Sequence, residues 1–135
     1  MDDCIFCKII KGEIPSANLY EDDDVVAFLD IAPTQKGHTL VIPKNHYRNL
    51  FDMPEDEVKR LFAAVQKVAK GVKEAVGAEG INIGMNNEPA SGQIVFHAHV
   101  HIIPRRNGDG LKSWPQSKYE EGEMQQFKEK IVKFL

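Results

Sequence analysis

The segment His97-Ala98-His99-Val100-His101-Ile102-Ile103-Pro104 decides how the rest of the chain is read. Three histidines alternate with apolar residues, and in an extended strand successive side chains leave opposite faces of the backbone. The pattern predicts a strand from Ile94 to Ile103, closed by Pro104, with His97, His99 and His101 on one face and Ala98, Val100 and Ile102 on the other. The apolar row needs cover. It is available between Pro54 and Gly77, where Val58, Leu61, Phe62, Val65, Val68, Ala69, Val72 and Val76 recur at intervals of three and four residues. This is a helix from about Pro54 to Val76, with proline suited to its first position and glycine to its stop.

Further out, Val25 to Leu29 and Thr39 to Ile42 read as buried strands and Ile81 to Met85 as another, with a polar loop from Asn86 to Gly92. Ile5 to Ile10 fits a short helix ended by Gly12 and Pro15, and Met124, Phe127, Ile131 and Phe134 mark a closing one. Strands that outnumber helices and gather around one long helix favour an antiparallel α+β fold over a doubly wound parallel sheet. A chain of 135 residues without repeat or linker is expected to form one domain over residues 1–135. With 42% apolar and 27% charged residues a packed core is attainable, which excludes a disordered chain. A net charge of −3 gives no basic footprint for nucleic acid, although one small phosphate could still be held. The N-terminal apolar run is broken by charges and no stretch reaches the roughly 20 residues a bilayer needs, so no membrane association and a cytoplasmic location are expected.

One strand histidine would be unremarkable, but three in register call for a purpose near neutral pH. A single metal ion does not collect all three. At about 3.3 Å per residue the Cα atoms of His97 and His101 lie roughly 13 Å apart, while zinc–nitrogen bonds are about 2.0–2.1 Å. With Ala98 and Val100 between them, no carboxylate is at hand for a hydrolytic metal site either. Covalent catalysis fits better: a neutral imidazole attacks phosphorus without prior deprotonation, and water readily breaks the adduct. His99 is placed to attack and His101 to contact a phosphate oxygen or the leaving group. The loop from Asn86 to Gln93 is expected to offer amide donors and, at Gly92, close backbone approach to an anion. Cys4 and Cys7 are the only cysteines, and their spacing suits metal chelation or redox chemistry better than a disulfide framework; two free thiols in a reducing cytosol are the competing reading, while a redox pair would be expected after a strand in a βαβ unit, which is missing.

These residues resemble the histidine triad family. The likeness includes Gly92-Gln93 before the triad, Pro104-Arg105 after it, Cys4 to Ile10 with Glu13-Ile14-Pro15, Ala27 to Ile31, and Gly37 to His46, and it is similar to the Hint-type branch in the same order. The resemblance implies an α+β fold with about five antiparallel strands, one long helix and a C-terminal helix, the sheet extended across a homodimer. It implies hydrolysis of nucleoside 5'-phosphoramidates or related purine nucleotide derivatives through a nucleotidyl-histidine. Carried onto this sequence, His99 is the nucleophile and His101 the phosphate and leaving-group contact. Asp30 holds the ribose, Phe6, Ile9, Ile14, Phe28 and Ile31 wall the base pocket, and Asn86, Gly92 and Gln93 lie near the phosphate. Phe6, Ile9, Ile14, Phe28 and Ile31 are also what a core would contain, and Asp30 is also a residue expected in a strand-end turn. Bacterial relatives with Cys-x-x-Cys imply a structural zinc held by Cys4, Cys7, His46 and His97, a closed set of two thiolates and two imidazoles. No organic cofactor is implied. His38 is assigned a structural role only.

The departures are at the C-terminal end. Trp114-Pro115 resembles the end of eukaryotic relatives, but the Arg105 to Lys112 segment is longer and a further helix follows; Ile94 stands where some relatives carry a serine. Two alternatives remain beside the phosphoramidate hydrolase. One is a dinucleoside polyphosphate hydrolase or nucleotidyltransferase using the same residues. The other is a zinc-stabilised nucleotide-binding module whose work is protein interaction.

Overall fold

The computed structural model describes residues 3–135. Its sheet is antiparallel, in the order β1-β2-β3-β5-β4, with β1 (Asn18–Glu21), β2 (Val25–Leu29), β3 (Thr39–Pro43), β4 (Gly80–Gly84) and β5 (Val100–Arg105). Three α-helices accompany it among the described residues: α1 (Ile5–Ile10), α2 (Glu55–Val76) and α3 (Glu123–Val132). The antiparallel α+β class expected from the sequence is the one found.

Strands β2 and β3 pair from Val25↔Pro43 to Leu29↔Thr39, and all their residues but Leu29 are buried. Both faces of the sheet are covered here, which is why these strands read as unbroken apolar runs. On one face Val25, Ala27, Val41, Val100 and Ile102 meet Leu61, Ala64, Val65, Val68 and Val72 of α2. On the other, Val26, Phe28, Leu40 and Ile42 meet Phe6 of α1, with Ile9 and Ile10 alongside. Fully burying one such side chain is worth about 1.5–3 kcal/mol. The α2 face, with Leu61, Val41, Val100 and Ile102 enclosed, is therefore the main stabilising layer.

Helix α2 starts with Pro54 at the N-cap and places Glu55, Asp56 and Glu57 in its first turn, where acidic groups complement the helix dipole. Gly77 ends it in the left-handed conformation, φ 63°. The histidine strand begins later than the alternation predicts. Residues 94–99 lie outside the ladder, and the Ala98 amide donates to the Tyr47 carbonyl at 2.7 Å instead of to a neighbouring strand. The alternation survives this departure, since Ala98, Val100 and Ile102 are all buried, the last two against α2. Strand β4 starts one residue before the expected Ile81. Strand β1 had no visible signal because Asn-Leu-Tyr-Glu is a polar edge, paired on one side only. No described helix is long and apolar enough to cross a membrane.

Candidate active site and metal centre

Two clusters form on the α1 side of the sheet. The first joins three stretches of chain. Cys4 caps α1, its Sγ accepting the Cys7 amide at 3.4 Å, so a single helical turn brings both thiols to one end. His46 comes from the segment after β3 and His97 from the approach to β5. Cys7 Sγ is 3.3 Å from His46 Nδ1, Cys4 Sγ is 3.5 Å from His97 Nδ1, and the two Nδ1 atoms are 3.1 Å apart. All four donor atoms lie within 4.8 Å of one another. His97 is fully buried, and its Nε2–H donates to the Pro43 carbonyl at 2.8 Å, leaving Nδ1 unprotonated and aimed at the thiols. A backbone carbonyl on the far nitrogen is the support that metal-bound histidines usually have. Burial, the larger cause, holds His97 down at about 4, so the ring is neutral at pH 7; burial and the neighbouring Cys4 push the Cys7 thiol up. The donor set and its tautomer fit a closed tetrahedral metal ion.

The second cluster holds the other two strand histidines. His99 is 7% exposed, and its Nδ1–H donates to the His97 carbonyl at 2.7 Å. The lone pair is thus on Nε2, which has no hydrogen-bond partner among the described residues. Burial lowers the basicity of this ring below that of an ordinary histidine. Phe6 packs edge-on against His99 at 5.2 Å between centroids and against Phe28 at 5.6 Å, so α1 forms a wall beside this ring. His101 stands next to it, ring to ring at 5.1 Å.

His101 has a partner that the sequence reading missed. His38 Nε2 lies 2.9 Å from His101 Nδ1, and His38 Nδ1 accepts the backbone N–H of Thr34 at 3.1 Å. The His38 proton therefore sits on Nε2 and is given to His101, which must carry its own proton on Nε2. The structural assignment of His38 is thereby corrected: it selects the tautomer of His101. The missing information was register. Leu40 is opposite His101 in the β3–β5 ladder, so His38, on the same face two residues earlier, becomes its diagonal neighbour. No single-sequence signal gives that pairing. Asp30 Oδ2 approaches His38 Nε2 at 3.8 Å, making a geometrically compact Asp30–His38–His101 group. Its hydrogen bonds argue against a metal there: a ligating His38 Nε2 needs a proton on Nδ1, where the Thr34 amide already donates. Burial, then the neighbouring His99 and His38 rings, hold His101 at about 4.

Other expected site residues fall into three groups. Phe6 and Phe28 are buried beside His99, and Ile9 packs against their cluster; Ile14 is half-buried and Ile31 is 97% exposed. Asp30 keeps Oδ1 on the Ala32 amide at 2.9 Å and is partly buried. Asn86 lines a cavity of about 620 Å³ with His101, His38, Thr34, Arg105 and Trp114. Gly92, at φ 101°, occupies a backbone region unfavourable to other residues, and a Cβ there would meet the Asn86 amide at 3.5 Å.

Three of the expected backbone donors of this loop are already engaged. Ser91, Gly92 and Gln93 donate their N–H groups to Glu88 and Pro89 carbonyls. The Gln93 side chain is also fully engaged, accepting from Asn49 Nδ2 (3.1 Å) and the Glu88 amide (2.8 Å) and donating to the Arg48 and Val95 carbonyls. Gln93 therefore shapes the loop rather than reaching into the cleft. The loop hub is Glu88, which adopts φ 78° and whose carboxylate is gripped by Arg48 and Asn49.

Comparison with known proteins places this arrangement among relatives. The family described as HIT domain matches residues 11–108. The "Protein hit" of Bacillus subtilis is 50% identical over 111 residues, 82% of this chain and 77% of that protein. The adenosine 5'-monophosphoramidase hnt1 of Schizosaccharomyces pombe is 44% identical over 119 residues, 84% of this chain and 86% of that one. The adenylylsulfatase HINT3 of Arabidopsis thaliana is 44% identical over 110 residues, 82% of this chain and 56% of that protein. A solved structure from Streptococcus mutans superposes with TM-score 0.94 at 47% identity, covering 99% of this chain and 86% of the other. A zinc-bound histidine triad protein from Mycobacterium smegmatis superposes with TM-score 0.79 at 38% identity, covering 98% and 96%.

Proposed function

We propose, from the premise that this chain belongs to the HIT family, that it hydrolyses nucleoside 5'-phosphoramidates or closely related purine nucleotide derivatives through a covalent nucleotidyl-His99. The observation that carries this reading is the tautomer of His99, a neutral imidazole whose Nδ1–H is tied to the His97 carbonyl while Nε2 keeps a free lone pair. Such a nitrogen attacks the α-phosphorus, and the bond from phosphorus to the leaving nitrogen breaks. The leaving nitrogen is hydrogen-bonded by His101 Nε2–H, whose ring is steadied at Nδ1 by the His38 N–H, and departs as the amine with a proton taken from a water molecule. The hydroxide left behind attacks phosphorus, breaks its bond to His99 Nε2 and frees His99 and a nucleoside monophosphate. Asp30 accepts the ribose hydroxyls, and Phe6, Phe28 and Ile9, with Ile14 and Ile31, wall the base. Asn86 and the turn at Gly92 face the phosphate.

Relatives named as a phosphoramidase and an adenylylsulfatase support this substrate class, because both names describe adenylyl groups carried on a leaving atom. Zinc, held by Cys4, Cys7, His46 and His97, would supply a structural crosslink and take no part in the chemistry. A homodimer joined along the β4 edge is part of the proposal: that edge is open, and Phe62 and Ile83 beside it are 39% and 45% exposed. A reducing cytoplasm suits the two free thiols. The discriminating experiment is product analysis with adenosine phosphoramidate and diadenosine polyphosphate offered together; preference for the second replaces the phosphoramidate assignment by the polyphosphatase one.

Two linked outcomes test the His38–His101 pair. His38→Ala is expected to lower kcat by roughly 10- to 100-fold, part of the hundred- to ten-thousandfold that general acid–base catalysis supplies, with little change in nucleotide affinity. In the wild type, both reactive rings titrate below an ordinary histidine, which loses its proton near 6.5. Acid removes activity by protonating the His99 lone pair and disrupting the relay. Hence the acid limb of kcat/KM should lie below the pH at which an ordinary histidine titrates, with the His101 ring itself protonating only at about 4. An acid limb centred at 6.5 in the wild type would contradict this picture of the site.

A further inference from the structure

Glu57 stands on the first turn of α2 and is 7% exposed, an uncommon place for a carboxylate unless its hydrogen bonds are satisfied. The donors come from the segment after β3. Asn45 Nδ2 donates to Glu57 Oε1 at 2.8 Å and the Tyr47 hydroxyl to the same oxygen at 3.3 Å, with Arg60 at 3.5 Å. These two residues flank His46. While both of His46's neighbours turn toward Glu57, His46 itself turns the other way, its Nδ1 3.3 Å from Cys7 Sγ and 3.1 Å from His97 Nδ1. The Tyr47 carbonyl, in turn, accepts the amide of Ala98, the residue after His97.

We propose that Glu57 is a positioning residue for the metal centre, holding His46 in its ligating orientation by gripping the residues on both sides of it. The inference rests on the zinc reading of the Cys4, Cys7, His46 and His97 cluster. It differs from the ordinary role of an acidic residue in a first helical turn, which favours the helix dipole alike with and without metal. A positioning role acts on the affinity of the metal, as partners that orient metal-ligating side chains generally do.

Zinc affinity of the full chain, measured by competition with a chromophoric chelator, and Tm with and without zinc make the test. Glu57→Leu removes the acceptor and should weaken zinc binding about 10- to 100-fold, with a smaller zinc-induced rise in Tm. Glu57→Gln keeps an oxygen at that place and should bind zinc close to wild type. A chain carrying Asn45→Ala and Tyr47→Phe removes both donors without touching α2 and should reproduce the loss, which covers the case in which the leucine variant does not fold. In a His46→Ala background, Glu57→Leu should weaken zinc no further. Unchanged zinc affinity in both Glu57→Leu and the Asn45/Tyr47 double variant, with Tm lowered equally in the two metal states, overturns the proposal. Failure of the wild type itself to bind one zinc overturns the zinc reading instead, and the two failures are thus told apart.

Discussion

Replacing His99 with alanine should lower kcat by about 10⁴- to 10⁶-fold, the range lost when a covalent nucleophile is removed, while nucleoside monophosphate binding stays near that of the wild type. Of the binding groups proposed here, Asp30 and Phe28 are held by other parts of the chain, and Phe6 is held by α1 and by Phe28 as well as by its packing on His99. The size of the effect follows from geometry: His99 alone combines a fixed Nδ1–H, a free Nε2 and burial that keeps it neutral. His101 cannot substitute, because its Nδ1 is engaged by His38 and its Nε2 carries the proton. Mass spectrometry of protein quenched during turnover should find one nucleotidyl mass on His99, more readily in a chain with His101 altered, where release is slowed. Substantial turnover by His99→Ala, or an adduct mapped to another residue, would sink the covalent mechanism. Nucleotide binding without any turnover in the wild type would favour the interaction-module reading.

Much of this architecture was legible because its strongest signals are local. The alternation from His97 to Ile103 and the three-four spacing of α2 each constrain which face is buried, and they answer each other: Val100 and Ile102 do meet Leu61 and Val65. Cys4 and Cys7 were readable together because a single helical turn relates them. What failed to show was everything that depends on pairing across the sheet or on hydrogen bonds of a folded loop. His38 gained its role from the β3–β5 register, a property of two strands about 60 residues apart in sequence and of neither alone. The loop after β4 looked rich in free amides because sequence does not reveal that Glu88 and Pro89 carbonyls consume them, nor that Gln93 is enclosed. β1 was invisible for the opposite reason: an edge strand with one exposed face needs no apolar run.

Removing the metal should act on stability before it acts on chemistry. A ligand present at a thousandfold its Kd stabilises the folded state by about 4 kcal/mol, and for a chain of this size that is a fall in Tm on the order of 10 °C or more when it is withdrawn. Cys7→Ala, or exhaustive chelation, is expected to produce such a fall. The segment released is α1, which the two cysteines and Phe6 fasten to the rest. Because Phe6 also packs on His99 and Phe28, loosening α1 should weaken nucleotide binding along with the fold. Protons enter with a definite sign. The Cys7 thiol titrates above its ordinary value in the metal-free chain, so binding zinc must expel a proton, and lowering the pH must weaken the metal and shrink the Tm difference between the two states. Below the unfolding temperature of the stripped protein, the fraction still folded should turn over a saturating substrate at nearly the wild-type rate. A metal acting directly on phosphorus makes the opposite demand: chelation would then stop turnover at once, at temperatures where circular dichroism shows the fold intact, and the assignment of the cluster as a crosslink would have to be abandoned.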